Sequence, residues 1–296
     1  MASSSTVETA TSTAWGVRAL GLHRLGRHYL LAVGGGIVVL AVALTLLAGS
    51  IAPYSPTDAV GERLQPPGAG HWMGTDQLRR DVFSRVVWGG RVPLTVAAVA
   101  TLASLGAGSL LGWVSGFWGG TVDRVLSLVM DAVYSFPALV LAIVVVAMLG
   151  PGMLNMVLAI ALVYVPTYFR LARSQTLQVR EMEHVEAARA LGASRLRTLF
   201  LHVAPLTLPA LLAVSSFTVA DAILTEAALA FLGFGLPPPT PDWGFDIQNG
   251  QKFLQAGHWW LVTFPGLFII VVSLGFGMVG EGINDWLDPR RKRLTT

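Results

Sequence analysis

Three carboxylic acids stand within or near the ends of long apolar stretches of this 296-residue sequence: Asp131, Asp221 and Glu226. A carboxylate inside a bilayer costs roughly 2.5–3.5 kcal/mol on insertion scales, so it seldom faces lipid. Acids in this setting can bind a solute or carry a proton along a path through the membrane. A neighbouring hydroxyl or arginine can equally satisfy them, or they can lie at the membrane interface. The sequence favours neither interpretation.

Other chemistry is restricted by composition. The sequence contains no cysteine, which excludes disulfides and thiolate metal sites, and its six histidines form no pair with metal-ligand spacing. A phosphate-binding P-loop needs a lysine directly after glycine. The two lysines, Lys252 and Lys292, follow Gln251 and Arg291 instead. With no recognisable nucleophile–base motif either, we predict that the chain is not an enzyme and does not hydrolyse ATP by the P-loop route.

The composition is that of a membrane protein. Only 12% of the residues are charged and 53% are hydrophobic, whereas a soluble domain carries roughly 25% charged residues. About 20 apolar residues cross about 30 Å of hydrocarbon, and helices satisfy their own backbone there. We therefore predict an all-α integral membrane protein with six transmembrane helices. The predicted ranges are 29–51, 92–117, 122–147, 153–172, 205–232 and 258–281.

Basic residues set the predicted orientation. With both termini in the cytoplasm, 14 of the 20 lysines and arginines fall on the cytoplasmic side. The cluster at 79–91 is the exception, and an amphipathic interfacial helix would account for it. The predicted regions are a flexible basic N-terminus (1–28), an uncleaved first transmembrane helix (29–51), an external loop (52–91), a core with helices two to six (92–285) and a basic cytoplasmic tail (286–296).

Small residues predict how two of the helices pack. An every-fourth stripe in the second predicted helix allows a close helix–helix approach, either for internal packing or for a sliding or inter-subunit face. A proline at position 137 predicts a kink in the third helix. The stripe consists of Ala100, Ser104, Gly108, Gly112 and Gly116.

A charged stretch at 181–200 separates the fourth and fifth predicted helices and would face the cytoplasm. Strong helix formers run from Glu181 to Leu191, and Gly192 can end a helix in the left-handed conformation. Ser194 can cap a second helix that runs until Pro205. Alanines cluster around the turn, so its surface is small enough to enter a groove. Spacing alone slightly favours an ordinary amphipathic cytoplasmic loop.

This stretch resembles the EAA loop of ABC importer permeases. The triplet Glu186-Ala187-Ala188, then Gly192, then Val203-Ala204-Pro205 carry the resemblance. Four further stretches resemble the C-type permease of dipeptide/oligopeptide importers. They are Gly74–Arg91, Gly116–Arg124, Glu226–Gly244 and Gly280–Arg291. The sequence departs from the family pattern at Arg79, where glycine is usual, and at Ala204, where leucine is common.

The resemblance implies a type I ABC importer permease fold, with a cytoplasmic coupling helix in the loop at 181–200. It implies transport of di- or oligopeptides, with Asp131, Asp221 and Glu226 as candidates on the translocation path. It also implies a homologous second permease, two ATP-binding subunits that hold ATP and Mg, an extracytoplasmic peptide-binding protein, and contact with membrane lipid. Neither a cofactor in this chain nor a nucleic acid is implied. The residues implied to couple to the ATPase are Glu186, Ala187, Ala188, Arg189, Gly192 and Ala193.

Three alternatives stay open. Related permeases carry nickel, glutathione, haem-type compounds or oligosaccharides, although the predicted helices contain no Cys, no clustered acids and no His beyond His258 at the first position of the sixth, which gives no support for a metal path. A proton-coupled secondary transporter could use Asp131 or Asp221, but such folds often contain inverted repeats and none is evident. A structural or assembly protein of the membrane would explain the helices but not the loop.

Overall fold

The architecture comes from a computed structural model in which residues 22–287 are described, with side chains from residue 29 to residue 285. Most of the tail predicted at 286–296 and most of the predicted N-terminal segment lie outside this range. Within it the chain is helical between its loops, and its only β pairing is an isolated bridge between Thr75 and Asp81. The helices are α1 (Leu22–Leu46), α2 (Ala48–Ile51), α3 (Val82–Gly89), α4 (Arg91–Trp118), α5 (Gly120–Tyr134), α6 (Ala138–Leu149), α7 (Met153–Val179), α8 (Glu183–Ala190), α9 (Arg195–Arg197), α10 (Ala204–Leu229), α11 (Trp243–Gly250) and α12 (Trp260–Leu287).

Five helical segments are long and apolar enough to cross a membrane, and a sixth span forms if α5 and α6 are one bent span. The axes of α5 and α6 differ by 91°. Pro137 lies at the break and immediately precedes α6, where its missing N–H costs no helical hydrogen bond. The predicted kink is therefore present, and it is a right-angled break. The five segments are Tyr29–Leu46, Val82–Trp118, Met153–Val179, Arg195–Phe234 and Trp260–Asp285.

The small-residue stripe of α4 packs against α7. A Cβ added to Gly112 would lie 2.5 Å from the carbonyl oxygen of Phe169, and one added to Gly108 would lie 2.6 Å from that of Val165. Since real Cβ atoms do not approach backbone so closely, these positions accept no side chain without moving α7. All five residues of the stripe are buried within the chain. The stripe is therefore an internal packing face rather than an inter-subunit face.

α1 and α12 make a second close contact through glycine. A Cβ added to Gly34 would lie 2.7 Å from the Cβ of Met278, and one added to Gly275 would lie 2.7 Å from the Cγ2 of Ile37. In each helix a glycine therefore makes room for a side chain of the other helix. On its other side α12 packs against α10, where the ring of Phe217 fills the space beside Gly280.

At one end of the helices, residues 52–90 and 235–259 form a structure that we call the cap. A buried ion pair holds its two parts together, with Nη2 of Arg85 2.5 Å from Oδ1 of Asp246. The indole N–H of Trp243 donates to the carbonyl oxygen of Val86 at 2.7 Å. Arg80 is also buried and pairs with Asp76 at 2.6 Å. The basic cluster at 79–91 therefore includes a helix, α3, but Arg80 and Arg85 are buried in ion pairs within the cap.

Arg79 stands in a backbone conformation that favours glycine. Its φ of +68° lies in the left-handed region, which side chains with a Cβ adopt at a cost. This conformation gives a physical reason for the glycine that the resemblance implies at this position. The Nε of Arg79 donates to the carbonyl oxygen of Gly61 at 2.8 Å, which ties the residue to the cap.

We expect Gly112→Ala to destabilise the purified protein by about 1–3 kcal/mol, because the added methyl group forces α4 and α7 apart. Gly106 is the matched control, since it lies exposed on the same helix with nothing within 4 Å of an added Cβ. Gly106→Ala should be neutral or slightly stabilising. Thermal unfolding of both variants in lipid nanodiscs measures the difference, and equal melting temperatures would contradict the packing.

Candidate functional site

The charged stretch forms a compact tip at the end of the helices opposite the cap. We call residues 180–197 the tip segment. Its helix α8 ends at Ala190, and Gly192 two residues later has a φ of +86°. The N–H of Gly192 donates to the carbonyl oxygen of Arg189 at 2.9 Å, and that of Ala193 donates to Ala188 at 3.1 Å. These two bonds across a left-handed glycine are the Schellman motif, so the predicted helix end is confirmed.

The chain then enters the next membrane helix without a break in helical structure. The hydroxyl of Ser194 accepts a hydrogen bond from the backbone N–H of Arg197 at 3.4 Å, as predicted for a cap. A three-residue α9 passes through a π-helical turn, Thr198–Val203, into α10. As predicted, helical structure begins after Ser194 and reaches Pro205 at the start of the next membrane helix, and the two are continuous. The proline lies in the first turn of α10, where it interrupts no hydrogen bond.

One apolar side chain anchors α8 on the membrane helices. Val185 is fully buried, whereas most of α8 is exposed. It packs with residues from α7, the π-helical turn and the end of α4, so the tip segment is in contact with three membrane helices. This cluster contains Val179, Val185, Leu199 and Val203, with Trp113 and Phe117 packed against it. The guanidinium of Arg189 adds a contact 5.2 Å from the ring centre of Phe117.

The predicted coupling residues lie together on the tip segment and face outward. Glu186, Ala187, Arg189 and Gly192 are exposed, and Ala188 and Ala193 are half-buried. Sequence reasoning did not include Leu191 among the coupling residues. Leu191 is 89% exposed, directly before the glycine that ends the helix. The sequence alone does not show this, because the exposure of Leu191 depends on which face of α8 packs against the membrane helices.

The three predicted membrane acids do not form one site. Asp131 pairs with Arg170 of α7 at 2.8 Å, so a neighbouring arginine satisfies it. One turn further along α7, Arg173 donates two hydrogen bonds to Asp123 of α5. These pairs fasten the otherwise loosely packed α5 to α7. The described residues also contain no group of three or more potential metal ligands.

Asp221 has a different environment. It is exposed on α10, and the hydroxyl of Tyr164 on α7 donates to its Oδ2 at 2.8 Å. The same hydroxyl lies 3.0 Å from the hydroxyl of Thr225. No lysine, arginine or histidine of the described part of the chain forms an ion pair with Asp221.

Glu226 is enclosed where α10 meets the cap. Its side chain has no exposed surface and lies beside the buried carboxyl of Asp242. Asp242 caps α11 by accepting the N–H of Phe245 at 3.1 Å, and burial raises the pKa of Asp242. Neither oxygen of Glu226 has a hydrogen-bond partner of normal geometry among the described residues. Within this chain Glu226 therefore lines no open path.

This arrangement of spans, with a tip at one end and a cap at the other, is that of a multi-pass membrane protein. A chain of the inward-facing MetNI methionine ABC transporter superposes with a TM-score of 0.53 at 18% identity, covering 67% of this chain and 94% of that chain. The fold is thus that of an ABC importer permease, as predicted. Residues 108–293 match the model of the family described as binding-protein-dependent transport system inner membrane component. The chain belongs to that family.

Several curated proteins are similar over most of their length. The dipeptide transport system permease protein DppC of Alkalihalophilus pseudofirmus is 40% identical over 256 residues, covering 86% of this chain and 83% of that protein. The probable D,D-dipeptide transport system permease protein DdpC of Escherichia coli is 39% identical, covering 86% and 85%. The glutathione transport system permease protein GsiD of Pectobacterium atrosepticum is 34% identical, covering 91% and 90%. A permease of this family works with an ATPase and a substrate-binding protein.

We expect Gly192→Ala to loosen the end of α8, because a residue with a Cβ pays about 1–2 kcal/mol in the left-handed conformation. An added Cβ has nothing within 4 Å, so the effect is one of backbone conformation alone. Amide hydrogen exchange of peptides covering 183–198 should become about fivefold faster or more. Gly192→Asn should have a smaller effect, because asparagine tolerates this conformation. Unchanged exchange in Gly192→Ala would contradict the assigned helix end.

Proposed function

We propose that this chain is a permease subunit of an ATP-driven importer of di- and oligopeptides and forms half of its translocation pathway. The observation that carries the proposal is the tip segment, an outward-facing helix end with an exposed leucine and a buried anchor on the membrane helices. The named peptide permeases that are 39–40% identical support the substrate class. ATP and Mg would bind to separate subunits, where hydrolysis occurs.

The proposed assembly contains a homologous second permease, two ATP-binding subunits and an extracytoplasmic peptide-binding protein. The tip segment and both termini face the cytoplasm, so the cap faces the opposite side and receives the binding protein. Basic residues of the tip segment on the cytoplasmic side agree with the positive-inside bias.

In the proposed mechanism, ATP binding to the partner subunits moves the tip segment. Glu186, Ala187, Ala188, Arg189, Gly192 and Ala193 form the docking surface together with Leu191. Movement of α8 passes through Val185 to the ends of α4, α7 and α10, because these elements share one buried cluster. Coupling requires that ATP and peptide bind preferentially to different conformations of the transporter, so that each shifts the same two-state equilibrium.

Uptake in cells tests the proposed substrate class. A strain lacking this gene, and the same strain carrying it back, would be given a labelled dipeptide, a labelled longer peptide, labelled glutathione and labelled nickel. Restored uptake of either peptide, lost on ATP depletion, is the expected result. Uptake restored only for nickel or only for glutathione would assign the chain to another branch of the family.

We expect Leu191→Ser to weaken docking of the ATP-binding subunits. Burying a leucine contributes about 1.5–3 kcal/mol, which is about a tenfold to hundredfold change in affinity. Titration of the ATP-binding subunits onto the permease pair in nanodiscs measures this change. Leu254→Ser is the control, because Leu254 is also exposed (47%) but lies in the cap. Equal affinity of wild type and Leu191→Ser would contradict docking at the tip.

A further inference from the structure

The unpaired acid on α10 lies well inside its span. Asp221 is 13 residues from Phe234 and 26 residues from Arg195, the two ends of the helical segment. Its carboxylate is exposed on the surface of this chain, yet no cation of the described residues pairs with it. A carboxylate at this depth is costly without a partner. A cation supplied by another molecule would satisfy it.

The surroundings of Asp221 suit a small cation with several N–H donors. The Tyr164 hydroxyl donates a hydrogen bond to Oδ2 of Asp221, and the tyrosine side chain is itself buried between α7 and α10. This leaves Oδ1 and the hydroxyl oxygen of Thr225 as acceptors on the same side of α10. An ammonium group carries three donors and no acceptor, so it can use both.

An open apolar groove of about 550 Å³ lies between α10 and α12, on the face of α10 next to the one that carries Asp221. Phe217, Ala220 and Leu224 form its α10 wall, and Asp221 lies about 40° around the helix from Phe217. This volume is within the usual 300–1,000 Å³ of small-molecule sites. The groove can thus hold an apolar side chain next to a group bound at Asp221.

We propose that Asp221 binds the α-ammonium group of the transported peptide inside the membrane, with the peptide's apolar side chain in the adjoining groove. This inference rests on the proposed function as a peptide importer. The α-ammonium group is shared by free peptides whatever their side chains, so a site that reads it accepts many sequences. Tyr164 acts as a positioning residue for the carboxylate.

A second acid at the groove is the main competitor. Glu281 lines the end of the groove on α12, but it is only four residues from the end of the span at Asp285. A long side chain so close to the interface can reach water or headgroups at little cost. Asp221 is deeper, shorter and held by a hydrogen bond, which makes it the better ligand for a bound ammonium.

The test compares two probes, leucyl-leucine and N-acetyl-leucyl-leucine, with the assembled permease complex in nanodiscs without the binding protein. Binding is measured by saturation-transfer NMR. Wild type should bind the free peptide about tenfold to hundredfold more tightly than the acetylated one. Asp221→Asn should remove this preference, and Tyr164→Phe should reduce it. Asp131→Asn is the control, because Asp131 has its own arginine, and it should retain the preference.

Three results would overturn the inference. One is an unchanged preference in Asp221→Asn, or no preference in wild type. Another is loss of the preference in Glu281→Gln instead, which would assign the ammonium to that acid. The third is loss of the second permease from the purified Asp221→Asn complex, which would mean that a partner subunit supplies the cation. In each case wild-type peptide uptake in cells would leave the importer function standing, whereas absence of that uptake would remove both.

Discussion

The close contact between α4 and α7 is the constraint on which the rest of the structure depends. Glycines 108, 112 and 116 let the two backbones meet, and no side chain larger than hydrogen fits between them. This contact fixes the rotation of α7 and hence the direction of the groups that it presents. Tyr164 then reaches α10, and Arg170 and Arg173 reach α5. At its far end the same helix pair supports the buried cluster beneath α8.

Each acid near the membrane helices is accommodated in a different way. Asp131 and Asp123 have arginine partners on α7, which also hold α5 in place. Glu226 is enclosed beside Asp242 at the junction with the cap. Asp221 has a tyrosine hydroxyl and an open side. The arginine pairs are complete within the chain and Glu226 is closed off from solvent, whereas the carboxylate of Asp221 stays open to a ligand, and on this difference we base the proposed role of Asp221.

Much of the architecture was predictable from the sequence because it depends on local physics. Long apolar runs give the spans, Pro137 gives a break, and Gly192 and Ser194 give the helix end and the next cap. The contacts of the cap were not predictable, because Arg85 and Asp246 are 161 positions apart and nothing in their own surroundings indicates the pairing. Spacing likewise showed that Gly112 lies on a small-residue face but not which helix covers it. The exposure of Leu191 follows from tertiary structure, since it depends on which face of α8 Val185 buries.

The central claim is that ATP, through the tip segment, drives movement of peptide through a path to which this chain contributes. The most direct measurement reconstitutes the purified permease pair, the ATP-binding subunits and the binding protein in sealed vesicles and follows accumulation of a labelled dipeptide. The account predicts accumulation that requires ATP on the side of the tip segment and persists when an uncoupler abolishes the proton gradient. Accumulation without ATP that an imposed proton gradient drives would contradict it.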